Sequence, residues 1–320
     1  METIYTRETF EYEEDFRNFR KQVQADVERG FQQERENLNS QQEAEARVSG
    51  QIRELLKGIN PDTNRLEAIE KAEAKQMEGY MERVRPSLIE RDPQFDVRLR
   101  QDLDFELSYS PANSSQAHLI GADVVALDRE KLSTYEGEAG NPGKWLYDAN
   151  KNWKGKISQT GSAGCSGGTP YHPLGTIFYF IWTPPKIGKY WIISRTAYHG
   201  YYLVYSLLMP WSTCNYASVK GDSEVRVGVK KSSSLPPQAI AYDTNNIFSK
   251  GGSSIVANGT LDGSTFHSFE VNYTGSGPLY FNLIQSWSIT AKGSPTYAEV
   301  NFQDGSANYI GPPVVAISWT

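Results

Sequence analysis

The chain is poor in the residues that carry most metal and nucleophilic chemistry, with two cysteines and four histidines in 320 residues. Cys165 and Cys214 can make one disulfide, but one pair sets no framework of bridges and fixes no redox compartment. No C-x-x-C pattern accompanies them, so the sequence offers no zinc site. His118, His172, His199 and His267 are scattered, and none has a histidine two or four residues away. No metal and no cofactor is expected, and no P-loop or dinucleotide fingerprint occurs. Basic charge is in deficit: 32 Lys and Arg against 38 Asp and Glu leave a net of −6. Without clustered cations to displace the counterions of a phosphate backbone, nucleic acid is excluded as a partner.

Long apolar runs are missing too. The longest, IFYFIW at 177–182, is strand-sized against the roughly 18 residues that a spanning helix needs. The opening METIYTRETFEYEEDF has neither a basic n-region nor an apolar h-region, so it does not read as a Sec signal peptide. The expectation is a soluble protein without a transmembrane segment, with a place in a released or extracellular assembly left open.

What the chain does contain changes character near residue 100. Residues 1–100 hold 17 Lys and Arg and 22 Asp and Glu, whereas 101–320 hold 15 and 16. All seven Trp and 23 of the 27 Gly fall in the second part. Charged, Gln-rich, Gly-poor sequence favours helix; aromatic, β-branched, Gly-rich sequence favours strands and turns. The fold class read from this is α+β: a helical stalk over 1–100, then an antiparallel, jelly-roll-like β-sandwich over 101–320.

In the first part, apolar residues recur at three- and four-residue steps through Tyr12, Phe16, Phe19, Val23, Val27 and Phe31 and on through Leu38, Val48, Ile52, Leu55 and Ile59. That spacing is a coiled-coil-like seam with one stutter near Val27. It predicts a helix over about 10–57, started by the acids after Thr9 and stopped at Lys57-Gly58. A second helix follows over about 61–84, with Pro61 at its first position and a linker over 85–100 in which Pro86 and Pro93 break the helix. The second helix is half as long, so folding back it covers only the Val48–Ile59 half. The aromatic half needs another subunit or the β domain. Tyr12, Phe16, Phe19, Val23, Val27 and Phe31 are therefore read as an oligomerisation seam, with packing on the chain's own sandwich as the alternative.

The second part alternates about ten apolar runs with turn signals such as Pro184-Pro185, Lys220-Gly221-Asp222, Asp262-Gly263 and Asp304-Gly305. Such regular spacing without helical patterns argues a sandwich. TPPKIGKYWIIS at 183–194 resembles the tyrosine corner that opens a late strand in immunoglobulin-like sandwiches, which implies architecture only.

Chemistry is thin. GCSGGTP at 164–170 resembles the G-D-S-G-G-P signature of trypsin-like proteases, with Cys165 in the aspartate position and Ser166 in that of the nucleophile. Such a site needs a histidine and an aspartate far upstream, and only His118 precedes it. A surface turn is the better reading, and no catalytic residue is assigned. Asp243 with Glu270, or Asp222 with Glu224, pair as glycosidase carboxylates only on paper. His267 alternates onto the face of Phe269 and reads as a packed histidine. The aromatic run Tyr198, Tyr201 and Tyr202, with Trp211 and Tyr216 beyond, offers flat rings with polar handles suited to a glycan or another subunit. The function expected is a non-enzymatic, homo-oligomeric structural or attachment protein. A carbohydrate-binding module is the alternative, and a membrane-inserting toxin a further one that the acidic helix face disfavours.

Overall fold

The computed structural model describes residues 13–59, 63–89, three short strands between 118 and 147, and most of 153–319. Among the described residues two helices come first, α1 (Glu13–Ile59) and α2 (Thr63–Ile89). Fourteen strands follow among the described residues: β1 (His118–Ile120), β2 (Ser133–Glu136), β3 (Leu146–Tyr147), β4 (Trp153–Lys154), β5 (Lys156–Thr160), β6 (Tyr171–Trp182) and β7 (Gly188–Ser206). The others are β8 (Tyr216–Val229), β9 (Gln238–Gly252), β10 (Ile255–Tyr273), β11 (Leu279–Lys292), β12 (Thr296–Asn301), β13 (Tyr309–Ile310) and β14 (Val314–Trp319). They form two antiparallel sheets, a five-stranded one ordered β2-β6-β11-β8-β9 and a nine-stranded one centred on β7. The helix-plus-sandwich expectation holds. The 90–100 part of the linker lies outside the described residues.

Between the sheets, alternate residues of the long strands meet in one apolar core, with Leu174 and Phe178 of β6, Phe281 and Trp287 of β11, and Tyr190 and Ile192 of β7 all buried. Tyr190 Oη donates to the Lys186 carbonyl, four residues back along the chain, at 2.6 Å.

The outer faces are where the sequence reading needs correction. Phe16, Phe19 and Val23 of α1 are buried against Ile177, Tyr179 and Ile181 of β6 and Tyr280 and Ile284 of β11, with Val27 packed beside them. Phe31 is buried further along, over Gly175, where a Cβ would sit 3.6 Å from its ring. The seam therefore packs on the chain's own five-stranded sheet, the alternative read from the sequence. A 47-residue helix is long enough, at about 1.5 Å per residue, to lie across a whole sheet. Ion pairs fix its bearing: Asp15–Lys230, Asp26–Arg226 and Glu45–Lys292. Tyr12 lies outside the described residues.

The second helix does not fold back along the seam. Met77, Met81 and Leu88 of α2 pack instead on Tyr201, Leu203 and Tyr205 of β7 and Tyr297 of β12, on the outside of the nine-stranded sheet. The hairpin thus straddles the sandwich, one helix per sheet, and the Arg53–Glu70 ion pair joins the helices near their junction. Leu55 and Ile59, expected to be covered, are 69% and 82% exposed there. Nor does Pro86 end the helix, which runs on to Ile89. Burial of Leu88 and the Arg85–Glu299 pair at 2.9 Å hold the last turn despite the backbone bond that proline removes.

Two of the turn signals proved to be strand interior. Gly221 lies inside β8 and Gly263 inside β10, and Gly200 lies inside β7 in the same way. A Cβ on Gly221 would come 2.5 Å from the Trp287 ring, and one on Gly200 2.5 Å from Phe302. These glycines make room for aromatic side chains, which composition cannot distinguish from bending the chain.

Candidate functional site

The nominated aromatic residues do not form one surface. Tyr198 and Tyr202 pack on the inter-sheet core, Tyr198 edge-on to Trp287 at 5.6 Å. Tyr201, one residue out of phase, is buried on the opposite face under α2, where its hydroxyl donates to Glu299. Trp211 is buried, its indole N–H donating to Glu70 of α2 at 2.8 Å. Tyr216 is half-buried beneath the Lys292 ammonium. The alternation of a strand scatters them: neighbours in sequence face opposite sides of the sheet.

Cys165 and Cys214 are joined in a disulfide, so no thiolate is available at the Gly-Ser-rich loop. The bridged loops instead seat α1: Gln42 donates to the Cys165 carbonyl, and Ser49 accepts from the Thr213 N–H. Ser166 is outside the described residues. The carboxylates paired on paper each hold a partner of their own, Glu270 with Lys189, Asp222 with Lys220 and Glu224 with Arg226. No cluster of three metal-ligating side chains occurs among the described residues.

Glu299 of β12 is a buried carboxylate that the sequence did not single out. It accepts from Arg85 of α2 at 2.9 Å, Tyr201 at 3.0 Å, Tyr297 at 2.6 Å and Asn301 at 3.0 Å. Burial, then the neighbouring Glu299 charge, pushes the phenol of Tyr201 well above its usual range. Every acceptor position of Glu299 is engaged, which makes it a bolt between α2 and the sheet rather than a reactive group.

The polar cluster with most chemical content lies at the opposite edge. Strand β9 ends the five-stranded sheet and β10 pairs only with β7, so both are edge strands among those described. A short turn connects them, and side chains stitch them together. Ser223 Oγ of β8 lies 2.7 Å from His267 Nε2 of β10, and His267 Nδ1 lies 2.9 Å from Asp243 Oδ2 of β9. Asn245 of β9 donates to the Phe266 carbonyl at 2.6 Å. Burial holds the His267 pKa below its ordinary value, against the opposing pull of Asp243. A neutral imidazole protonated on Nδ1 donates to Asp243 and accepts from the serine hydroxyl. The packed histidine read from alternation is thus also the middle of a three-strand relay. Its residue types and distances are those of a serine-nucleophile triad. Ser223 and His267 are both sealed from solvent, however, and Ser223 sits in a strand with both neighbours paired. What reaches solvent is the Asp243 end, with Tyr242 exposed on one side and Phe266 on the other, the latter's ring under the Arg195 guanidinium at 5.2 Å. No spacing rule finds this cluster, because its members come from three strands of two sheets.

No family model and no curated protein matches the chain. Solved structures with some likeness include the mannan-recognising carbohydrate-binding module TmCBM27 (11% identity, 64% of this chain and 99% of that one, TM-score 0.24). A cellulose-specific module, CBM28, aligns at 7% identity over 57% of this chain and 88% of its own, TM-score 0.21. The enzymatically active domain of tailspike protein 4 from bacteriophage CBA120 aligns at 11% identity over 57% of this chain, TM-score 0.20, and only 19% of that chain is spanned. At these scores the likeness carries no argument.

Proposed function

We propose that this chain is a non-enzymatic carbohydrate-binding sandwich, braced by its own helices, that recognises glycans at the β9–β10 edge. The carrying observation is the make-up of that edge. Tyr242 is 72% and Phe266 38% exposed, and along the chain they immediately precede Asp243 and His267 of the relay. Exposed flat rings suit sugar faces, and the Asp243 carboxylate and Asn245 amide on the inward side of the same edge suit hydroxyls, which are the groups such recognition needs. With a helix laid on each sheet, this edge is a polar face that the helices leave uncovered. The test is retention of the full chain on immobilised polysaccharides. Tyr242→Ala is expected to weaken binding about 10-fold or more, as truncating a central aromatic anchor does, and Asp243→Asn similarly. Absence of retention on mannan-, cellulose- and galactan-type matrices alike would end this reading.

A second reading, the homo-oligomeric structural or attachment role, draws on the exposed end of the helical hairpin. Val48, Leu55, Ile59 and Ile69 stand uncovered there, an apolar patch of the kind that marks assembly surfaces. Leu55→Glu with Ile59→Glu is expected to lower the solution mass under this reading. An unchanged number of chains would remove it.

A further inference from the structure

Inward from the Asp243–His267–Ser223 relay, which clasps β9 to β10, a row of polar side chains crosses the interior of the sandwich. In register across the five-stranded sheet lie Asn245, Ser223, Gln285 and Thr176. Each shares the inner face with apolar core residues two positions away, such as Val225, Leu283, Trp287, Leu174 and Phe178. From the nine-stranded sheet, His267 and its cross-strand neighbour Ser194 belong to the facing inner surface, beside Ile192 and Phe269. Gln285, Thr176, Ser223, Ser194 and His267 are all at least 97% buried.

Hydrogen bonding along this row is incomplete. Ser223 and His267 satisfy each other. Among the described residues, no protein group answers either amide atom of Gln285, the hydroxyls of Thr176 and Ser194, or the indole N–H of Trp287 in the next row. Buried polar atoms in folded proteins are nearly always paired, and a bare one costs as much as a lost bond. The orphaned set is uncharged and holds both donors and acceptors. The groups flanking it on the inner faces, Trp287 and Tyr198, are aromatic. Ions are thereby a poor match, whereas neutral hydroxyl groups, which donate and accept at once, fit every member.

We infer that the inner row of Gln285, Thr176, Ser194 and Trp287 is a built binding site for neutral hydroxyl groups, closed at the β9–β10 edge by the Asp243–His267–Ser223 clasp. Two sources can supply that chemistry, ordered water or the hydroxyls of a sugar residue. The sugar source rests on the carbohydrate-binding reading; the water source does not.

The experiment follows the side-chain N–H resonances of Gln285 and Trp287 by NMR in the intact chain, with Gln285→Met and Thr176→Val beside it. A saturable shift of both resonances on adding mannose, glucose or galactose identifies sugar hydroxyls. Cross-peaks to long-lived water without sugar identify water. In either case both substitutions lower the melting temperature, because they remove partners of a bound hydroxyl. If neither signal is seen and both substitutions raise the melting temperature, as filling a dry row with apolar groups does, the inference is overturned. Polysaccharide retention unaffected by Gln285→Met leaves the edge reading intact while removing the sugar source, so the two proposals fail separately.

Discussion

Replacing Phe16 and Phe19 together by alanine tests the central packing claim, that α1 belongs to its own sandwich. Both rings are buried, Phe19 5.6 Å from the Tyr280 ring and Phe16 edge-on to Tyr179 at 6.3 Å. Truncating a buried phenylalanine costs about 3–5 kcal/mol. The two share Tyr280, so their effects fall short of additive, and about 5–7 kcal/mol is expected for the pair. Gln42, Ser49 and Arg53 hold the C-terminal part of this helix. In its N-terminal part, Val23, Val27, Phe31 and the part-exposed Asp15–Lys230 and Asp26–Arg226 pairs remain. Such pairs contribute at most about 1 kcal/mol each. The inter-sheet core contains no residue of α1, so the N-terminal part of the helix is expected to detach while the sandwich persists. Hydrogen exchange over residues 14–35 should accelerate by orders of magnitude, with exchange in β7 and β11 little changed and the solution mass constant. Retained slow exchange in α1 with a lowered number of chains would refute the reasoning, because the seam would then be an interface between molecules.

Three further outcomes are expected. Arg85→Met leaves Glu299 buried without its cation; as Arg85 keeps a third of its side chain in solvent, a loss of about 2 kcal/mol is expected in denaturant titration, below the full cost for a wholly buried pair. Reduction of the Cys165–Cys214 bridge, which closes a separation of 49 residues, removes about 4 kcal/mol on the chain-entropy account and is expected to lower the melting temperature and loosen α1 around Gln42 and Ser49. His267 has a folded-state pKa below its ordinary value of 6.5, so the unfolded chain takes up its proton first. Its contribution is fully present above about pH 6.5 and is lost as pH falls through the folded value; His267→Gln should flatten the fall in melting temperature between pH 7.5 and 5.5, and an equal slope in both proteins would count against the clasp.

Much of the architecture was legible in composition and period. Charge density and a three-and-four step of apolar residues mark α1 because a helix repeats its faces every 3.6 residues whatever its surroundings. Other features are decided only in three dimensions. An amphipathic stripe says that Phe16, Phe19 and Phe31 must be buried, but not against what; a sheet of the same chain and a helix of another copy satisfy it equally. Gly200, Gly221 and Gly263 carry the same one-letter signal whether the chain bends or a tryptophan or tyrosine needs room. Ser223, Asp243 and His267 are spread over 44 residues, and only the meeting of two sheet edges brings them within hydrogen-bonding distance. The sequence by itself determined the division into a helical part and a strand part, because that choice rests on short-range backbone and side-chain preferences summed over many residues. Which surfaces meet, and hence where the polar edge lies, was decided by the tertiary structure, because burial is a property of pairs of surfaces and not of either one alone.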